Sequence, residues 1–201
     1  MGKTIAIVNQ KGGVGKTTSC VNLAAALTAL GARVLVCDFD PQGNATSGFG
    51  LAKGRSPSVY DVILGDAPMS KAVIHTKWGD VVPANKALSG ATVELIALER
   101  REFRLKDAIE EVKGSYDVIF IDCPPSLELL TLDGLCAADT LLVPVQCEYF
   151  ALEGLSDLLY TVRLAKQRLN PSLELEGVVL TMYDGRTNLS LQVAEEVKRH
   201  F

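Results

Sequence analysis

Two hydrophobic rhythms alternate along the chain. Short runs rich in β-branched residues (TIAIVN, RVLVCD, YDVIFID, TLLVPVQ and LEGVVLTM) are separated by longer segments whose apolar positions recur every three to four residues. The cores IAIV, VLVC, VIFI and LLVPV contain no charged or hydrogen-bonding side chain, the pattern of strands buried on both faces rather than one. Strands alternating with helices predict an α/β fold: a mostly parallel β-sheet with helices on both faces, in three layers, αβα. The helical period predicts helices from Lys16 to about Leu30, from Leu127 to Ala138, and from Leu152 to Leu169, the last ending before Asn170-Pro171. Val93, Ile96, Ala97, Leu105, Ile109 and Val112 predict helix between Ala91 and Lys113, broken near Arg100 to Phe103. A short strand is expected over DVVPA, residues 80–84. From Gly43 to about Ala91 the chain is rich in Gly, Pro, Ser and Asn, and only a short helix near Tyr60 to Leu64 is expected there.

With 201 residues, 48% of them hydrophobic, the chain can bury about 70% of the surface that its unfolded form exposes. Residues 1–201 are read as a single domain. No run of 18 apolar residues and no signal-peptide pattern occurs, so the expected compartment is the cytosol. Cys20, Cys37, Cys123, Cys136 and Cys147 lack C-x-x-C spacing and sit mostly in apolar runs, as buried free thiols do. The net charge of -4 argues against coating nucleic acid by bulk positive charge. Local basic groups remain: Arg100, Arg101, Arg104 and Lys106; Arg163, Lys166 and Arg168; Lys198 and Arg199. Each is more ordinarily a solvated helix face.

The candidate chemistry begins at Gln10, in QKGGVGKTT. Glycines at 12, 13 and 15 let backbone N–H groups converge on an anion without obstruction by side chains. The helix that starts at Lys16 adds the positive end of its dipole. Lys16 is placed to reach terminal phosphates, and the Thr17 hydroxyl to ligate Mg²⁺. This is a P-loop, with one irregularity: the pattern G-x-x-x-x-G-K-[ST] calls for glycine where Gln10 stands, and Lys11 follows it.

Ligands of open α/β sheets bind beyond the carboxyl ends of the strands. RVLVCDFDPQGN puts Asp38 and Asp40 at one such end, and YDVIFIDCPPS puts Asp122 at another. Asp122 fits the acid that holds the Mg²⁺ shell; the alternative is a turn or capping aspartate beside Pro124 and Pro125. Asp-Pro-Gln-Gly by itself is an ordinary turn signal.

QKGGVGKTT, DFDPQGNATSGFG, DCPPSLELLTLDGL, PVQCEYFALEGL and LTMYDGRTNL, in this order, resemble the ParA/Soj family of deviant Walker A ATPases, which partition bacterial chromosomes and plasmids. The resemblance runs along the whole chain and is weakest between Leu51 and Val81. It implies a Mg²⁺-dependent, slow ATPase in which Gly12, Gly13, Val14, Gly15, Lys16, Thr17, Thr18 and Met182 bind the nucleotide. Thr17, Asp38 and Asp122 serve the metal. Asp40 orients the attacking water, and Lys16 and Lys11 act on the phosphates. Lys11 is the family's signature lysine, which crosses a homodimer interface to the partner's ATP, with Gly12 small because the two loops approach closely. A lysine that contacts only its own phosphate is the alternative. The resemblance further implies an ATP dimer that binds nucleoid DNA without sequence preference and a ParB/Spo0J-type partner that stimulates hydrolysis. Arg186 matches a DNA-contacting position; an arginine paired with Asp184 is the alternative, weighed equally.

Relatives of this family continue through another strand, a P-R-N-V-R-like segment and a final helix, so a C-terminally shortened domain is expected, with the adenine pocket and sheet edge left open. Other readings are a nucleotide-dependent adaptor with little catalysis, a MinD-like membrane-positioning ATPase, which would need a C-terminal amphipathic helix, and an iron–sulfur carrier, which would need clustered cysteines.

Overall fold

The computed structural model describes residues 2–148 and 151–200, with backbone alone for 151–156 and 200. Tyr149 and Phe150 of the PVQCEYFALEGL stretch, and Phe201, lie outside the described residues. Among those described, strands β1 (Lys3–Ile7), β2 (Val34–Asp38), β3 (Ile74–Thr76), β4 (Gly79–Val82), β5 (Val118–Asp122), β6 (Thr140–Gln146) and β7 (Glu174–Thr181) form one sheet in the order β3-β4-β2-β5-β1-β6-β7. Neighbours run parallel except for the β3–β4 pair. The helices are α1 (Lys16–Ala29), α2 (Asn44–Gly48), α3 (Val59–Leu64), α4 (Met69–Ala72), α5 (Ala91–Leu95), α6 (Arg104–Val112), α7 (Leu129–Ala137), α8 (Ala151–Arg168) and α9 (Asn188–His200).

The unbroken apolar runs act as their pattern predicts, because successive side chains point to opposite faces. Ile5, Ile7, Val34, Val36, Val81 and Phe120 pack with Cys20 and Ala24 of α1 and with Ala45 and Phe49 near α2. Their neighbours Ala6, Leu35, Cys37, Ile119, Ile121 and Leu141 pack on the other face, beneath α3 to α9. The three-layer αβα expectation holds, and both faces carry buried apolar side chains. β7 is an edge strand and is only half-buried, as its single strand neighbour requires.

The Gly43–Ala91 segment carries more structure than its composition suggests. α2 has no hydrophobic period to reveal it, and β3 is only three residues long. Both depend on distant partners: α2 is held by Asp38 through Thr46, and β3 by antiparallel pairing to β4. The expected break after Ala91 is real, for Arg100 adopts a left-handed φ of 54° and a 3₁₀ turn, Arg101–Phe103, separates α5 from α6. Asn170 ends α8 as expected and does a second job. Its buried amide donates to the carbonyls of Leu135 and Ala138 at 2.9 and 2.8 Å, meeting acceptors that the C-terminus of α7 leaves open.

α6 and α7 are joined by a buried acid. Asp133 of α7 accepts the Leu105 N–H of α6 on Oδ1 at 3.0 Å, and its Oδ2 has no hydrogen-bond partner. Burial pushes its pKa up to about 8. An acid held above its unfolded value of about 3.9 contributes stability in full below that pH and loses it as pH rises toward about 8. Asp133→Asn keeps an acceptor for Leu105 and removes the ionisation. In urea unfolding it is expected to gain on the parent chain progressively between about pH 5 and about pH 8; a constant difference across that range would contradict this account.

Candidate nucleotide site

The loop between β1 and α1 is shaped by glycine where the backbone requires it. Gly13 and Gly15 have φ of 75° and 92°, and a β-carbon at Gly15 would sit 3.3 Å from Thr181 Cγ2. The loop is then tied down from several sides. Asn9 Nδ2 donates to the Pro144 carbonyl at 2.8 Å, Thr181 Oγ1 to the Val14 carbonyl at 2.8 Å, and the Lys11 N–H to Asn9 Oδ1 at 2.9 Å. β6 and β7 therefore fix the loop's shape from below. Gln10 Nε2 donates to Asp157 Oδ2 of α8 at 3.3 Å.

Lys16 opens α1 almost wholly buried, with its Nζ donating to the Lys11 carbonyl at 2.9 Å. Burial lowers its pKa, while Asp122, Cys123 and Asp40 oppose the shift. A buried ammonium bonded to a carbonyl is only partly compensated, and an anion in the adjacent cavity would complete it. That cavity, about 300 Å³, is bounded by Gly12, Gly13, Gly15, Lys16, Thr17 and Thr18, by Asp40, Gln42 and Asn44 across from them, and by Pro125 and Met182. Gln42, Asn44 and Pro125 were not singled out from the sequence, although they stand in DPQGN and CPP beside residues that were. Val14 is buried behind the loop, and Met182, at φ 52°, is 62% exposed.

Parallel register brings two of the acids together. Asp122 is the Cα partner of both Asp38 on β2 and Ile7 on β1. Asp122 Oδ2 accepts the Thr17 hydroxyl at 2.7 Å, and its Oδ1 is buried without a hydrogen-bond partner. Burial first, then repulsion from Asp38 and Asp40, pushes its pKa up to about 7. An orphaned carboxylate oxygen beside a threonine hydroxyl suits a divalent cation whose remaining ligands are phosphate oxygens and water. No group of three or more His, Cys, Asp or Glu among the described residues could hold a metal by itself.

Asp38 is arranged differently. Its Oδ2 accepts both the Thr46 N–H, at 2.7 Å, and the Thr46 hydroxyl, at 2.6 Å, and Oδ1 accepts the Asp40 N–H at 3.4 Å. Burial pushes its pKa up to about 6. Here Asp38 clamps α2 to the end of β2. Asp40, 7% exposed, caps its own turn, accepting the Gln42 N–H at 2.9 Å.

Lys11 lies outside the cavity lining and forms an ion pair with Glu148 of its own chain. Arg186 pairs through two of its nitrogens with Asp184, as one of the two readings required, while its side chain stays 90% exposed. The five cysteines are buried and free. A larger cavity, about 440 Å³, lies at the amino ends of β2, β4 and β5 among Arg33, His75, Asp80 and Tyr116.

A strand, a glycine loop, a helix opening on lysine and threonine, and an acid at the adjacent strand end define a P-loop nucleoside-triphosphate-binding protein. A family model described as AAA domain matches residues 2–175. The chain is 57% identical over its full length to sporulation initiation inhibitor protein Soj of Bacillus subtilis, covering 81% of it. It is 52% identical to chromosome partitioning protein ParA of Myxococcus xanthus, covering all of this chain and 72% of that one. Among solved structures, cobyrinic acid a,c-diamide synthase from Mycobacterium smegmatis with a bound ATP analogue and magnesium superposes with a TM-score of 0.95 at 43% identity, covering 100% of this chain and 83% of the other. A plasmid partition protein from Borrelia burgdorferi superposes at 0.86 and 26% identity, covering 98% and 85%. The chain belongs to the ParA/Soj family of partitioning ATPases.

The Thr46 clamp is testable. Thr46→Val removes the hydroxyl donor from a fully buried Asp38, along with the acceptor of the Ala84 N–H at 3.0 Å. The expected cost is about 1–3 kcal/mol of stability, read as a shifted urea midpoint with an unchanged slope.

Proposed function

We propose that the chain is a single-domain, Mg²⁺-dependent ATPase that works as an ATP-bound sandwich dimer in chromosome or plasmid partition. Buried Lys16 above the cavity, beside the Thr17–Asp122 pair, carries the nucleotide reading. Backbone N–H groups of Gly12 to Thr18 receive the phosphates, and Lys16 neutralises their charge. Thr17 and Asp122 would hold Mg²⁺, with Asp38 supporting them from behind through its place beside Asp122 and its grip on α2. The ion would draw negative charge from the phosphates. Asp40, facing the loop across the cavity, orients the attacking water; hydrolysis needs positioning more than a strong base.

The dimer rests on Lys11. In the single chain it is absent from the cavity and held by Glu148, so a lysine freed from that pair is available to a partner's nucleotide, where a cation supplied in trans can raise the rate by about 10³–10⁵. Gly12 leaves room for the approach of the two loops. The dimer joins small basic surfaces, Arg186 among them, into a footprint for non-specific DNA. Hydrolysis, stimulated by a ParB/Spo0J-type partner, dissolves it. This places the protein in the cytoplasm, on the nucleoid. No helix among the described residues is long and apolar enough to cross a membrane.

Light scattering with Mg-ATP and steady-state phosphate release test the scheme together. Lys16→Ala is expected to lose nucleotide binding. Lys11→Ala should bind ATP yet neither dimerise nor hydrolyse it, and Asp40→Ala should accumulate as an ATP dimer. An Asp40→Ala chain that binds ATP and stays monomeric would rule out the sandwich. For DNA, Arg186→Glu is expected to weaken a low-salt mobility shift, and undiminished affinity would exclude that residue.

A further inference from the structure

The turn that carries Asp40 is braced from outside the nucleotide cavity. Within it, the Gln42 N–H donates to Asp40 Oδ1 at 2.9 Å and the Gly43 N–H to the Asp40 carbonyl at 2.8 Å. Asp40, Gln42 and Asn44 all line the cavity. Beyond α2 the chain reverses at Gly50, φ 75°, and Lys53 returns over the turn. Its Nζ donates to the Gln42 carbonyl at 2.5 Å and to Asn44 Oδ1 at 3.4 Å. Its aliphatic stem covers Gly43, where a β-carbon would lie 3.6 Å from Lys53 Cδ and 3.7 Å from Cε.

Helix stabilisation does not account for this lysine. Cations favour the carboxyl end of a helix, and Lys53 sits at the amino end of α2. Its acceptors are a carbonyl and an amide oxygen, so ion pairing with a carboxylate does not account for it either. Its two contacts have in common that both acceptors belong to residues that line the cavity beside Asp40. An ammonium donor makes a shorter, stronger hydrogen bond than a neutral one.

We infer that Lys53 is a positioning residue for hydrolysis: by holding Gln42 and Asn44 it fixes the Asp40 carboxylate where it orients water toward the terminal phosphate. The inference rests on the proposed ATPase and extends it to a side chain outside the phosphate loop and the strand-end acids. Lys53 touches neither water nor phosphate in this scheme. Its loss therefore leaves ground-state binding, which the loop and Lys16 supply, and impairs the hydrolytic step.

The experiment compares the parent chain, Lys53→Met and Lys53→Arg by steady-state phosphate release, binding of a fluorescent ATP analogue with Mg²⁺, and thermal melting. Methionine keeps the stem over Gly43 and removes the donor; arginine restores donors. A displaced catalytic group can cost up to about 10²-fold. The expectation is that Lys53→Met lowers kcat about tenfold with analogue affinity within about twofold of the parent, and that Lys53→Arg recovers most of the loss. An unchanged kcat in Lys53→Met overturns the inference. So does a parallel fall of kcat, affinity and melting temperature, which marks a merely structural contact. A parent chain that binds the analogue and releases no phosphate overturns the ATPase reading itself, and this inference with it. An active parent beside an equally active Lys53→Met overturns the inference alone.

Discussion

Burial of like charge at the carboxyl edge of the sheet is the constraint around which the rest of the site is arranged. Parallel pairing of β2 with β5 places Asp38 beside Asp122, and both are fully buried. Their raised pKa values, about 6 and about 7, express the cost of ionising two neighbouring acids away from water. The fold answers that cost unevenly. Asp38 receives donors from Thr46 and Asp40, whereas Asp122 has Thr17 on one oxygen and nothing on the other. The remaining compensation must come from cations. Lys16 is one, and the orphaned oxygen fits a divalent ion as the second.

The same economy explains the deviant loop. An ordinary P-loop uses its first glycine to begin the turn; here Asn9, Gln10 and Lys11 instead direct their side chains to Pro144, Asp157 and Glu148. These contacts join the phosphate loop to β6, to the segment after it, and to α8. Across the cavity, the Asp40 turn is joined to α2 and Lys53. The cavity therefore lies between two separately braced walls, the glycine loop on one side and the Asp40 turn on the other. Each wall is thus tied to structure outside the cavity.

Much of this was legible in the sequence because local pattern and tertiary role coincide. IAIV, VLVC, VIFI and LLVPV could be read as buried strands because a two-faced core imposes apolar residues at every position. GGVGKTT could be read because a phosphate loop is built by consecutive residues, and the break at Arg100–Phe103 because a helix period was interrupted. Asp122 was legible as the last residue of an apolar strand. By contrast, α2, α4 and β3 are too short to show a period, and residues such as Gln42, Asn44 and Pro125 carry no signal apart from their neighbours.

The sequence by itself determined the class of fold, the phosphate loop, and which acids end which strands, since each depends on residues contiguous in the chain. Tertiary structure decided the partners. It set Asp38 on Thr46, Lys11 on Glu148, Arg186 on Asp184 and Lys53 over Gln42, and it left one oxygen of Asp122 bare. Charges can pair with any opposite charge or dipole within reach, so residue type and spacing leave the choice open. Only packing fixes which groups lie within about 3 Å of each other and which are shut away from water.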